Sequence, residues 1–231
     1  MTLHTDRHFE GELQTLQQLL LRMGGLVEQQ IARAIESLVE RDSDLARDVI
    51  ERDREVNQLD ILIDEECLKV IALHQPAAGD LRLVTTALKI NTDLERIGDM
   101  AVNVCERAIE LNEEPTLKPY IDIPHMAKEA QAMVRTSLDS FVQRDTELAV
   151  QVIDQDDVVD ALAHQLYREL LSYMAEDPKT ISRATKILLI SKYLERIADH
   201  ATNIAEMVVF MVDGTMIRHS TSLPGEDSDL E

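Results

Sequence analysis

Residues 94–106 read LERIGDMAVNVCE, and residues 194–206 read LERIADHATNIAE. Eight of the thirteen positions are identical, at an offset of 100. Within each copy the apolar residues recur at three and four: Ile90, Leu94, Ile97, Ala101 and Val104 in the first, Ile190, Leu194, Ile197, Ala201 and Ile204 in the second. At about 100° per residue such a series forms one stripe along an α-helix. The same rotation places Glu95, Asp99, Asn103 and Glu106 nearly opposite that stripe, and Glu195, Asp199, Asn203 and Glu206 likewise. A duplicated amphipathic helix therefore carries a duplicated acidic face.

The duplication extends outward. Residues 39–59 align with 142–162 at an offset of 103, with ten identities in 21 positions. Turn signals fall at Asp42-Ser43, His74–Asp80, Asn112–Pro124, Arg144-Asp145-Thr146 and Glu176-Asp177-Pro178. Asp177 before Pro178 reads as an N-cap followed by proline at the first helical position. The six segments between the breaks have helical periodicity, as in Val49, Val56, Leu59, Ile63, Cys67 and Val70. These features predict an all-α chain of six long helices, arranged as two tandem homologous three-helix bundles over residues 1–115 and 120–213. Asn112–Pro124 reads as the linker and 214–231 as a disordered acidic tail.

Composition agrees and excludes other classes. Seven Gly, six Pro and 3% aromatics are too few for a sheet protein rich in turns. Twenty-three Lys and Arg face 44 Asp and Glu, for a net charge of −21. Such a surface repels nucleic-acid phosphates and anionic membranes. The first residues lack a signal-peptide apolar region, and the longest apolar run, Met207–Val212, is far too short to span a bilayer, so no membrane insertion is expected. Cys67 and Cys105 match Leu170 and Ala205 in the other repeat and read as small core residues of a cytosolic protein with reduced thiols.

Carboxylates four apart repel one another and weaken a helix by a few tenths of a kcal/mol unless a cation intervenes. No Lys stands within either stripe, and both stripes persist while a neighbouring position changes from Met100 to His200. Carboxylate and amide oxygens suit hard cations such as Mg, Mn, Fe or Ca, and zinc ranks behind them in the absence of Cys or His. Asp53, Asn57, Asp60 and Asp64 on the second helix, with Asp156 and Asp160 on the fifth, are placed to complete such sites. Asp60 and Asp64 correspond to Ala163 and Tyr167 and so lack counterparts. No Glu-x-x-His di-iron signature, GxxxxGK[ST], GxSxG or HExxH occurs. Gly24-Gly25 reads as close helix packing. Three functions remain open on the residues alone: a regulatory adaptor with surface metals, a metal-free acidic helical scaffold, and a carboxylate-metal enzyme.

The doubled LERIGDMAVN and LERIADHATN resemble the E(D)xxxD motifs of the PhoU family. Residues 23–30 (MGGLVEQQ), 41–46 (RDSDLA) and 75–84 (QPAAGDLRLV) resemble it too, and the likeness covers nearly the whole chain except the tail. The resemblance implies a cytoplasmic, dimerising, non-enzymatic negative regulator of phosphate uptake. Its implied partners are the ATPase subunit of the phosphate ABC transporter and a phosphate-sensing histidine kinase. The implied metal ligands are Glu95, Asp99 and Asn103, with Glu195, Asp199 and Asn203. With no phosphate-cradling loop and a negative surface, the chain is expected to read the transporter through protein contact and not to sense free phosphate.

Overall fold

The structure, a computed structural model, describes the backbone of residues 2–215 and the side chains of residues 8–215. Six long helices account for nearly all of it: α1 (Thr2–Val39), α2 (Ser43–His74), α3 (Ala78–Asn112), α4 (Asp122–Gln143), α5 (Thr146–Glu176) and α6 (Ile181–Asp213). A single 3₁₀ turn, Pro178–Thr180, precedes α6. The expected tail lies, from residue 216 on, outside the described residues.

The repeated Arg-Asp pairs explain how successive helices are joined. Arg41 and Arg144 adopt left-handed φ values of 58° and 54°, which stop one helix and turn the chain. The aspartate that follows caps the next helix. Asp42 accepts from the amides of Asp44 and Leu45, and Asp145 from those of Glu147 and Leu148. Asp177 likewise accepts from the Lys179 amide, with Pro178 in the first turn as its sequence predicts.

α1, α2 and α3 pack on one another, as do α4, α5 and α6. The two bundles join where α3 meets α6 and α1 meets α4, whereas α2 and α5 contact only helices of their own repeat. One continuous core results, running from Leu20, Ile63 and Leu94 to Phe141, Ile190 and Leu194. Burying each such Leu or Ile contributes about 1.5–3 kcal/mol. The α3–α6 seam also changes the meaning of one sequence difference. Met100 is buried and His200 Nδ1 lies 2.8 Å from Asp93 Oδ1 across the repeats, so the Met-to-His exchange reflects an internal interface and not surface drift. Cys67 and Cys105 are free and buried, and burial pushes both thiols up to about 12, consistent with core packing.

The linker is fixed to both halves. Arg41 donates to the carbonyls of Asn112 and Glu114, each at 2.6 Å, and to Thr116 Oγ1 at 2.9 Å. From the second repeat Arg183 donates to the Pro115 carbonyl, and Lys186 pairs with Glu114 at 2.8 Å. Lys118 is buried between Asp122 and Glu169. Among the described residues no helix is long and apolar enough to cross a membrane.

The two adjacent glycines of α1 have different surroundings. A Cβ on Gly24 would lie 2.1 Å from Leu138 Cδ1 of α4, whereas a Cβ on Gly25 would meet nothing within 4 Å. Gly25→Ala should therefore gain helix propensity and stabilise by about 0.5–1 kcal/mol. Gly24→Ala should forfeit that gain to overpacking of about 1–3 kcal/mol, with Leu138→Ala suppressing the loss. Chemical denaturation of the three variants tests this; equal effects of the two Gly→Ala changes would contradict the packing.

Candidate metal centres

The acidic faces point towards the outer helices. In the first repeat α2 packs on α3 so that Asp53 Oδ1 comes within 3.3 Å of the position a Cβ on Gly98 would occupy. Asp53 thus comes in against α3 at Gly98, beside Asp99. Gln30 of α1 reaches the same spot: its Nε2 donates to Asp53 Oδ1 at 3.1 Å, and Asn57 Nδ2 donates to Asp53 Oδ2 at 2.9 Å. Glu95, Asp99 and Asn103 are all half-buried on α3. Asn91, one turn before Glu95, donates to Asp60 Oδ1 at 2.7 Å and to Asp64 Oδ1 at 3.0 Å. The structure therefore gathers Glu95 and Asp99 with the α2 acids Asp53 and Asp60. Asp64 is tied to Asp60 through Asn91 and is exposed.

The second repeat keeps the frame and changes its polar partners. Glu195 and Asp199 of α6 face Asp156 and Asp160 of α5, and Asn203 lies half-buried one turn further along α6. Asp160 stands where the first repeat has Asn57, and Met133 where it has Gln30, so amide donors give way to a carboxylate and a thioether. Ser191 replaces Asn91 and turns its hydroxyl to Met126 Sδ at 3.7 Å. A cleft of about 390 Å³ opens there, lined by Asp160, Ala163, Tyr167, Lys192 and Glu195.

Electrostatics follow from this crowding. Burial raises the Glu95 carboxyl, with Asp99, Asp60 and Asp53 adding to it and Arg96 opposing. Asp99 is raised by burial and Asp53, again against Arg96. Asp60 is raised by burial and Asp64, and the Asn91 hydrogen bond works the other way. Asp156 is pushed up to about 6, first by burial and then by Asp160, Asp199, Asp157 and Glu195. Asp199 is raised by burial, Glu195 and Asp160. Partial relief comes from beside the stripes. Arg96 lies 3.7 Å from both Glu95 and Asp99, and Lys192 pairs with Glu195, but both cations are more than half exposed and well screened.

The donor set fits a hard cation. Each group offers mainly carboxylate and amide oxygens, with His164 also lining the second cleft, and its like charges raise one another's proton affinity, a cost that a bound cation removes. An orphaned atom supports the fit in the first repeat: Gln30 Oε1 is buried, accepts no hydrogen bond, and sits 3.3 Å from the same Gly98 Cβ position as Asp53 Oδ1. Gln30 and Asn91 are residues that sequence reasoning missed. Both look like ordinary core-facing amides until the helices are packed. A third omission lies elsewhere: His8, Glu12 and His74 converge with ligand atoms within 4.8 Å of one another.

Comparison with known proteins is consistent across sequence and fold. The PhoU domain matches twice, over residues 20–108 and 123–208. The phosphate-specific transport system accessory protein PhoU homolog of Pseudomonas aeruginosa is 45% identical over 220 residues, covering 95% of this chain and 91% of that protein. The PhoU accessory protein of Escherichia coli is 36% identical over 232 residues, covering 98% and 96%. The crystal structure of PhoU from Pseudomonas aeruginosa superposes with a TM-score of 0.86 at 45% identity, covering 90% of this chain and all of that one. PhoU from Streptococcus pneumoniae superposes at 0.84 with 28% identity, over 90% and 98% of the two chains. With a PhoU domain matched in each repeat and a relative 45% identical over 95% of this sequence, the chain belongs to the PhoU family.

Proposed function

We propose that this chain is the accessory protein of a phosphate-specific transport system, a regulator and not an enzyme. The observation that carries this reading is the match of both repeats, at 45% identity over 95% of the chain, to a protein of that description. On this reading it acts in the cytoplasm, as a homodimer. When phosphate is plentiful it restrains the transporter through its ATPase subunit and holds a phosphate-sensing histidine kinase in its inhibitory state. The physics favours contact with proteins over sensing of free phosphate. A net charge of −21 repels the anion and attracts basic protein patches.

The metal reading belongs to the same proposal. Glu95, Asp99 and Asn103, supported by Asp53, Asn57 and Asp60, would hold a hard cation in the first repeat. Glu195, Asp199 and Asn203, with Asp156 and Asp160, would do so in the second. The raised carboxyls and the orphaned Gln30 oxygen support it. Magnesium, manganese and iron suit the oxygen donors best. Bound there, a cation would neutralise the faces between α2 and α3 and between α5 and α6, and so set the charge that a partner meets.

Co-purification from phosphate-replete cells should capture the transporter ATPase and the histidine kinase with the tagged protein. Capture of neither, under conditions that recover the intact membrane complex, counts against the regulatory reading. Calorimetric titration of chelator-treated protein with Mn²⁺ should lose its heat in Glu95→Ala/Asp99→Ala combined with Glu195→Ala/Asp199→Ala, a fall in affinity of at least about tenfold. Unchanged binding would leave the stripes as solvated faces.

Asp156 gives a pH test whose sign is fixed. Its carboxyl is pushed up to about 6, above the usual unfolded value near 3.9, so the native state binds the proton more tightly. The metal-free protein should accordingly lose stability from this group as pH rises from about 4 to about 6, the penalty persisting above that window. Asp156→Asn should then melt above the parent near pH 7, the difference closing towards pH 4. A variant less stable near pH 7 would contradict the crowding.

A further inference from the structure

One polar cluster lies apart from the acidic faces and plays no part in the proposed function. We propose that His8, Glu12 and His74 bind a single borderline divalent transition metal, for which zinc is the test ion, joining the start of α1 to the end of α2. His8 and Glu12 stand four residues apart on α1, which puts them on one face a turn apart. His74 is the last residue of α2. Its Nε2 lies 2.5 Å from Glu12 Oε2, while His8 Nδ1 lies 3.6 Å from Glu12 Oε1. All three ligand atoms fall within 4.8 Å of one another. Ligands about 2.1 Å from a tetrahedral zinc stand roughly 3.4 Å apart, so small side-chain movements suffice.

The surroundings point to a ligand independently of that spacing. Glu12 is only 9% exposed, and its Oε1 is buried and accepts no hydrogen bond. That oxygen is met only by the longer ion pairs with Lys69 at 3.5 Å and His8 at 3.6 Å, and a metal would satisfy it more fully. The Phe9 ring packs on the His74 imidazole at 5.0 Å between centroids, which limits the imidazole's rotation and dries one side of the cluster. The negative end of the α2 dipole favours a cation beside His74. The neighbouring cation can withdraw: Lys69 Nζ stands 3.5 Å from Glu12 Oε1 but 3.1 Å from Glu66 Oε2, its closer partner.

Two imidazoles and one carboxylate select differently from the stripes. Nitrogen donors favour Zn, Co or Ni over Mg or Mn, so the two kinds of site discriminate between metals by donor chemistry. Three protein ligands leave a fourth position for water, which fits an exchangeable clasp better than a closed structural site. Such a clasp exists only in the folded chain, so its metal stabilises the attachment of the first turns of α1.

The test uses the full-length chain, stripped of metal, with Glu95→Gln, Asp99→Asn, Glu195→Gln and Asp199→Asn in place, so that failure of the stripe reading does not decide it. Titration with Zn²⁺ should show one equivalent retained in that background. Co²⁺ should report nitrogen ligation through visible absorption bands. His8→Gln and His74→Gln should each weaken Zn²⁺ binding by at least about tenfold and remove the Co²⁺ bands. Circular dichroism of the metal-free variants checks folding; should His74→Gln not fold, the exposed His8→Gln decides alone. Retained Zn²⁺ affinity in the folded histidine variants, or no histidine-dependent equivalent in the parent, overturns the proposal and leaves the cluster as an ion pair between Glu12 and its neighbours.

Discussion

The seating of α2 on α3, and of α5 on α6, governs most of what is unusual about this molecule's surface. In the first repeat Asp53 comes in against α3 at Gly98 and meets Asp99 and Glu95. Like charges are thereby held together by an apolar core whose burial energy is far larger than their repulsion. The second repeat reaches the same crowding with Ala198 in place of Gly98, and with Asp160 where Asn57 softens the first. Its response is correspondingly stronger: Asp156 is the carboxyl displaced furthest, to about 6. The two sites are thus related by duplication but unequal in chemistry, one padded by amides and one made of carboxylates beside an open cleft.

Much of this architecture is legible in the amino acids. Periodicity of three and four, with turn signals at the breaks, predicts the helices, and the structure places Asp42, Asp145 and Asp177 as caps at three of those breaks. The repeated LER-I-x-D stretch announces the duplication and the acidic faces. What sequence alone misses depends on contacts between distant segments. Gln30 and Asn91 join the acids only once α1 and α3 are packed against α2, at sequence separations of 23 and up to 31 residues. The triad of His8, Glu12 and His74 is split between the two ends of a helical hairpin, 62 residues apart at its closing contact. A search for ligands on a single helix passes over all of these.

Polar contacts between the halves follow the same logic. Asp93 with His200 ties α3 to α6, and Arg135 reaches from α4 to Glu28 of α1 at 2.5 Å. Both pairs lie at the edges of apolar seams. The seams supply the energy and the pairs fix relative position, since partly exposed ion pairs contribute little stability of their own. Position is what the acidic faces need, because their mutual distances depend on how the helices are set.

The linker carries a consequence for how the molecule works and how it arose. Arg41 from the first repeat and Arg183 from the second both grip the short stretch between α3 and α4, and the core runs unbroken beneath it. The halves are therefore packed as one body, joined by helices over a shared core and not by a free tether. An ancestor with one bundle per chain would have had to cover the α3 surface with a second copy. Once duplication placed that copy on the same chain, the two surfaces could specialise for each other, as Asp93 and His200 have done, and neither half could be discarded without leaving the other an open apolar seam.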